Sequence, residues 1–217
     1  MPIARRTLFA STLLWMASIV MSGAAHAAPG ILVFGDSLSA AYGIAERHGW
    51  VALLSERLRK EQLDYSVVNA SISGETTRGG LSRLGKVLAD HEPAVVIIEL
   101  GGNDGLRGLP VAEMKRNLGA LIVQSKKAGA RVLLVGTRMP PNYGEDYTRA
   151  FESALADLAS EHRVAFAPEL TAGIGTQLQY FQTDRLHPNE AAQPLLLETV
   201  WKALRPLLAP AAAAKRR

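Results

Sequence analysis

The stretch Ala94-Val95-Val96-Ile97-Ile98-Glu99-Leu100 constrains the fold of this chain more than any other. A near-continuous run of branched apolar side chains suits a strand covered on both faces, and such strands belong to parallel sheets flanked by helices. Weaker runs of the same kind are Ile31-Leu32-Val33-Phe34, Tyr65-Ser66-Val67-Val68-Asn69, Arg131-Val132-Leu133-Leu134-Val135 and Val164-Ala165-Phe166. Between them apolar residues recur at helical spacing: Trp50, Leu53, Leu54 and Leu58; Leu81, Leu84 and Leu88; Val111, Met114, Leu118, Leu121 and Ile122; Tyr147, Phe151, Leu155 and Leu158. Pro110 suits the first turn of the third of these helices and Gly129 its carboxyl cap. A final stripe, Leu195, Leu196, Thr199, Val200 and Leu204, follows Pro194, which should kink that helix or start it late.

Strand and helix alternating in this way predict a three-layer α/β fold: a five-stranded parallel sheet with helices on both faces, right-handed crossovers and the flavodoxin-like order 2-1-3-4-5. In that order the ends of strands 1, 2 and 3 are neighbours. Each runs into glycine and small polar residues, so three loops meet on one rim, where open parallel sheets place their ligands. Residues 168–187 show no clear period.

The ends of the chain are expected to lie outside this domain. Arg5 and Arg6 precede an apolar run over residues 8–21, and Ala25-His26-Ala27 is a small-x-small cleavage site. Residues 1–27 thus read as an export signal, Sec or twin-arginine, and the run is short and broken for a membrane anchor. The expected domain spans residues 28–209, and residues 210–217 form a disordered basic tail. The net charge of +4 comes from the ends: two of the 24 basic residues precede residue 28 and three close the chain, which leaves 19 basic against 20 acidic residues between them. A basic groove for nucleic acid is not supported. With no cysteine, thiol nucleophiles, thiolate metal sites and disulfides are excluded.

Acyl transfer needs a hydroxyl, a base, a group that orients the base, and donors for the oxyanion. The rim offers Ser37 in Gly35-Asp36-Ser37-Leu38-Ser39, a backbone amide at Gly74, and the side-chain amide of Asn103 in Gly101-Gly102-Asn103-Asp104-Gly105. His187, three positions after Asp184, can supply base and orienter. Taken singly, each has a plainer reading. Gly-Asp-Ser and Gly-Gly-Asn-Asp-Gly are turn chemistry, Ser37 lacks the second glycine of a Gly-x-Ser-x-Gly elbow, Asp184 can cap a turn, and His187 can simply precede a helix. His48, His91 and His162 read as solvated or structural.

In order and spacing, the four blocks Gly35-Asp36-Ser37-Leu38-Ser39, Ser73-Gly74, Gly101-Gly102-Asn103-Asp104 and Asp184-x-x-His187-Pro188 resemble the signature blocks of the GDSL or SGNH hydrolase family. Within it the chain is similar to the exported bacterial multifunctional thioesterase/protease/lysophospholipases, also in Val68-Asn69-Ala70-Ser71-Ile72-Ser73-Gly74, Leu106-Arg107-Gly108 and Pro141-Asn142-Tyr143-Gly144. The resemblance implies the three-layer SGNH fold and a serine hydrolase of carboxylic esters and thioesters, of arylesterase, lysophospholipase or acyl-CoA thioesterase type. It implies Ser37 as nucleophile, His187 as base and Asp184 as its orienter. Ser37, Gly74 and Asn103 would form the oxyanion hole, and Leu106, Met139, Pro140, Pro141 and Tyr143 an apolar trough for the acyl chain.

The expectation is therefore an exported, periplasmic or secreted monomer acting on small acyl substrates. It needs no metal or organic cofactor and keeps no membrane span once the signal is removed. Two other classes are weighed against it. A metal-dependent phosphoesterase would use Asp36, Asn103, Asp104, Asp184 and His187 as hard ligands, but the chain lacks an Asp-x-His pair and a second histidine in a comparable block. A non-catalytic binding module of the same fold would form no acyl-enzyme.

Overall fold

Strands β1 (Gly30–Gly35), β2 (Ser66–Asn69), β3 (Val95–Glu99), β4 (Arg131–Val135) and β5 (Ala165–Ala167) pair in parallel in the order β2-β1-β3-β4-β5. This computed structural model describes residues 28–208, so the expected leader and the basic tail lie outside the described residues. The sheet order and the parallel sense are those expected from the alternation of strands and helices.

Alternate residues along each strand feed two separate cores, as a period of two requires. On one face Ile31, Val33, Val95, Ile97, Leu133 and Val135 pack under helices α1 (Trp50–Lys60) and α6 (Gln193–Leu204). On the other, Leu32, Phe34, Val96, Ile98, Val132 and Leu134 pack under α2 (Thr77–His91), α4 (Val111–Lys127) and α5 (Glu145–His162). Every residue of β3 is buried, which is why its sequence carries no polar alternation apart from Glu99.

The helix ends explain where the layers start and stop. Gly49, the N-cap of α1, has no side chain to cap with, and Gln193 reaches across from α6 to accept the Trp50 N–H at 3.0 Å. Thr76 caps α2 by accepting the Gly79 N–H. Pro110 is the N-cap residue of α4, one place earlier than a first-turn proline, and Gly129 stands just beyond its end at φ 85°. Pro194 sits in the opening turn of α6, so the helix starts late and is not kinked.

Two departures bear on the site. Gly102–Leu106 is a one-turn helix, α3, where the sequence suggests only a glycine-broken loop; one turn is too short to show a period. Residues 168–187 hold turns and a 3-10 segment, Leu178–Tyr180, closed by an antiparallel bridge between Phe181 and Pro188.

Beyond β4 the chain passes Pro168 so closely that a β-carbon on Gly136 would lie 2.2 Å from the Pro168 carbonyl oxygen. Backbone atoms cannot give way as a flexible side chain can. Gly136→Ala is therefore expected to destabilise the fold by about 1–3 kcal/mol, the usual cost of overpacking. An unchanged urea midpoint would show that the two segments can separate at no cost.

Candidate active site

The nucleophile candidate owes its position to the end of β1. Asp36 starts a tight turn in which its carbonyl accepts the N–H groups of Ser39 and Ala40, at 3.2 and 2.9 Å, and its side-chain Oδ1 accepts that of Leu38 at 3.1 Å. Ser37 is thereby lifted onto the rim, half-buried.

His187 arrives from the opposite end of the chain on a loop whose own bonds set its direction. Asp184 Oδ1 accepts the backbone N–H groups of Leu186 and His187 at 2.9 and 3.0 Å. Between Asp184 and Leu186, Arg185 is held in the left-handed region, φ 58°. Its N–H donates to Gln182 O, and Gln182 N–H to His187 O. The Gln182 side chain also donates to Tyr42 O at 2.7 Å, fastening this loop to the turn that follows Ser37.

These constraints bring the neighbouring Asp184 and His187 to Ser37, 150 positions from His187. Ser37 Oγ lies 2.9 Å from His187 Nε2, and His187 Nδ1 lies 2.7 Å from Asp184 Oδ2. With the proton on Nδ1 the ring donates to the carboxylate and accepts from the hydroxyl. Partial burial pushes the Asp184 carboxyl up, but the His187 backbone N–H, the imidazole and the Leu186 N–H outweigh it and hold the group at about 2. The Tyr42 ring leans on the imidazole at 4.4 Å between centroids.

The expected oxyanion donors stand beside this chain of bonds. Ser37 N–H and Gly74 N–H have no acceptor among the described residues. Gly74 adopts φ 79°, a left-handed conformation natural to glycine, and its carbonyl is held by Arg107 Nη2 at 3.0 Å. Asn103, on α3, directs Nδ2 to Asp36 Oδ2 at 3.1 Å, which leaves its second amide hydrogen free. Asp104 faces the other way, accepting the N–H and Oγ1–H of Thr77 at 2.8 and 2.6 Å, so α3 also holds the start of α2 and with it the Gly74 loop.

A cavity of about 570 Å³ opens directly over Ser37, Gly74, Asn103 and His187. Its apolar wall includes Leu38, Tyr42, Leu106, Phe181 and Leu178, the last 61 % exposed at the mouth. The trough residues expected from sequence divide. Leu106, Met139 and Pro140 line the cavity. Met139 is nearly all buried, its sulfur packed where a β-carbon on Gly105 would be. Tyr143 stands behind the wall: its hydroxyl donates to Leu106 O at 2.7 Å and its ring stacks on Tyr147. The side chain of Pro141 lies outside the described residues.

The hard-ligand set splits into two pairs, Asp36 with Asn103 and Asp184 with His187, while Asp104 turns away to Thr77, and among the described residues no group of three or more His, Cys, Asp or Glu is placed to hold a metal ion. His48 faces Glu190, and neither His48, His91 nor His162 lines the cavity. Tyr42, Gln182 and Glu99 are the residues that sequence reasoning missed.

Comparison with known proteins points to one family. The description "GDSL-like Lipase/Acylhydrolase family" matches residues 33–194. The chain is 50 % identical over 182 residues to Esterase TesA of Pseudomonas aeruginosa, covering 84 % of this chain and 90 % of that protein. It is 40 % identical over 190 residues to Thioesterase 1/protease 1/lysophospholipase L1 of Escherichia coli, covering 88 % and 90 %. Among solved structures it superposes with a TM-score of 0.79, at 42 % identity over 82 % of this chain and 98 % of the other, on the psychrotrophic esterase EstA of a Pseudoalteromonas species inhibited by monoethylphosphonate.

Proposed function

This chain belongs to the GDSL-like lipase/acylhydrolase family as an esterase and thioesterase, and from that premise we propose that it cleaves acyl esters and thioesters through a Ser37–His187–Asp184 triad and an acyl-enzyme. What supports this reading is the unbroken run of short contacts from Asp184 through His187 to Ser37, 2.7 and 2.9 Å, beside two uncommitted N–H groups.

The steps follow from the geometry. His187 Nε2 takes the Ser37 proton as Oγ attacks the acyl carbonyl carbon. The oxygen, now negative, is met by the N–H groups of Ser37 and Gly74 and by Asn103 Nδ2, donors already in place before the charge develops. The imidazolium, stabilised by the Asp184 carboxylate, gives its proton to the departing alcohol or thiol. A water then loses its proton to His187 while attacking the acyl-enzyme, the carboxylic acid product leaves, and Ser37 recovers its proton.

The apolar wall suits an acyl chain, with Leu178 and Leu186 at its open end. Lysophospholipids and diffusible esters are the fitting substrates if residues 1–27 direct export, because acyl-CoA stays in the cytosol. The enzyme then works as a periplasmic or secreted monomer, and no helix among the described residues is long and apolar enough to cross a membrane. N-terminal sequencing of the exported protein is expected to begin at Ala28.

Two outcomes test the chemistry. Activity on a nitrophenyl acyl ester should survive EDTA and be lost to an alkyl phosphonate, with the added mass mapping to Ser37. Loss to EDTA with no adduct would mean a metal-dependent reaction. Asn103→Ala should lower kcat by about 10²–10³ at little cost in KM, the usual effect of losing one oxyanion donor. An unchanged kcat would remove Asn103 from the site.

A further inference from the structure

Directly beneath the oxyanion donors lie two carboxyl groups, Asp36 and Glu99, only 2 % and 1 % exposed. They meet where β1 and β3 end: Glu99 pairs in register with Gly35, and Asp36 is the next residue. No lysine or arginine forms an ion pair with either among the described residues. Two adjacent anions in such a place would be prohibitively costly, so the pair must share a proton.

The surrounding hydrogen bonds indicate which group carries it. Asp36 accepts the Leu38 N–H through Oδ1 and the Asn103 Nδ2–H through Oδ2, each at 3.1 Å. Glu99 Oε2 accepts the Ser39 hydroxyl at 2.8 Å and the Asp36 N–H at 3.4 Å, whereas Oε1 accepts from no group among the described residues and is the oxygen left to carry a proton. Burial, with the Asp36 charge adding to it, pushes the Glu99 carboxyl well above the usual carboxylate range. Burial lifts Asp36 only to about 6, restrained by the Leu38 and Asn103 donors, by Glu99 and by His187. Burial and bonding both favour a glutamic acid beside an aspartate. Besides Glu99, the titratable group that acts on Asp36 is His187.

Room for this pair is left by two glycines. A β-carbon on Gly35 would fall 2.9 Å from Glu99 Oε2 and 2.8 Å from Ser39 Oγ, and one on Gly102 3.3 Å from Asp36 Oδ2. The glycines flanking Asp36 and Asn103 in sequence therefore admit the carboxyls as well as turning the chain.

We propose that Glu99 is a positioning residue: as a neutral acid it donates to Asp36, whose carboxylate braces the Ser37 turn through Leu38 with one oxygen and aims the Asn103 amide with the other. Glu99 touches no substrate. It acts by holding two oxyanion donors, Ser37 N–H and Asn103 Nδ2–H, on one point. This rests on the proposed oxyanion role of Ser37 and Asn103.

The experiment is a double-mutant cycle on the nitrophenyl ester, with Glu99→Gln as the conservative rescue. Glutamine can donate to Asp36 and still accept from Ser39 and the Asp36 N–H, so Glu99→Gln is expected to keep kcat within about threefold. Glu99→Ala loses the donor and should lower kcat about 10–100-fold with KM little changed, a fraction of what a whole oxyanion donor is worth. In an Asn103→Ala background, Glu99→Ala should cost clearly less than it does alone, because one of the two donors it holds is gone.

Stability supplies a readout independent of turnover. From the pH at which an exposed glutamate ionises upward, the native chain keeps a proton that the unfolded chain has released, so its stability falls as pH rises towards the native value of Glu99. Glu99→Gln lacks that loss. Its urea midpoint should therefore gain on the parent's from about pH 4.5 upward, and this holds even if Glu99→Ala does not fold. Glu99→Gln as impaired as Glu99→Ala, full additivity of Glu99→Ala with Asn103→Ala, or a midpoint gap independent of pH would each overturn the proposal. Should Asn103→Ala alone leave kcat intact, the oxyanion reading falls and takes this one with it. A costly Asn103→Ala with an additive Glu99→Ala overturns this inference only.

Discussion

Ser37→Ala is expected to lower kcat on acyl esters by about 10⁴–10⁶, the range seen when the hydroxyl of such a triad is removed, while the protein stays folded. The substitution deletes one oxygen, and the only side-chain partner of that oxygen among the described residues is His187 Nε2. No core contact is lost, so the urea midpoint should stay within about 0.5 kcal/mol of the parent's, as for other changes away from the core. The residual rate should not be zero. The N–H groups of Ser37 and Gly74 and the Asn103 amide remain, and in related chemistry such donors with binding alone give about 10³–10⁴ over water. Mass spectrometry during turnover should show an acyl adduct on the parent and none on the variant. A variant as fast as the parent would mean that the cavity hydrolyses esters with some other group, and the triad reading would be lost.

The fold was more legible than the site, for a physical reason. Burial of a sheet on both faces forces long apolar runs, and those runs can be read off residues 95–98 or 31–34 without knowing any partner. The proposed triad residues were visible because chemistry restricts their types. What supports them was not visible. Tyr42 against the imidazole and Gln182 between the two loops depend on contacts spanning about 140 positions, and nothing local marks them. The one-turn helix α3 shows no period, and residues 168–187 are held by turns and the Phe181–Pro188 bridge. Glu99 did leave a signal: an acid within an otherwise apolar, fully buried strand must have a partner. Identifying that partner as Asp36 required the β1–β3 register. Tyr143 was expected on the acyl wall from its loop, yet its hydroxyl reaches Leu106 O and it supports that wall from behind.

Asp184→Asn should be nearly as damaging to turnover as loss of the nucleophile, for a reason found in the bonds around residue 184. Its Oδ1 already accepts two backbone N–H groups, from Leu186 and His187, at 2.9 and 3.0 Å, and these hold the loop that includes the left-handed Arg185. Only an oxygen can occupy that position. An asparagine must therefore keep its carbonyl oxygen there and turn its NH₂ towards His187 Nδ1, where Oδ2 now lies at 2.7 Å. An amide donor facing Nδ1 forces the ring proton onto Nε2, the atom that must accept the Ser37 proton. The loop is preserved and the base is blocked, and kcat should fall by about 10⁴, as for the same change in a Ser-His-Asp triad. Asp184→Ala makes the contrast. It releases the imidazole to either tautomer but frees two N–H groups and the Arg185 turn, so it should cost stability, which Asp184→Asn should not. Because the native carboxyl is held at about 2, below its ordinary value, its contribution to folding is present at neutral pH and is lost only as the solution is acidified through the range from about 4 to about 2. Unfolding midpoints of parent and Asp184→Ala should therefore converge at low pH. An asparagine variant with near-parent turnover would show that the imidazole can accept the Ser37 proton without an anion at residue 184.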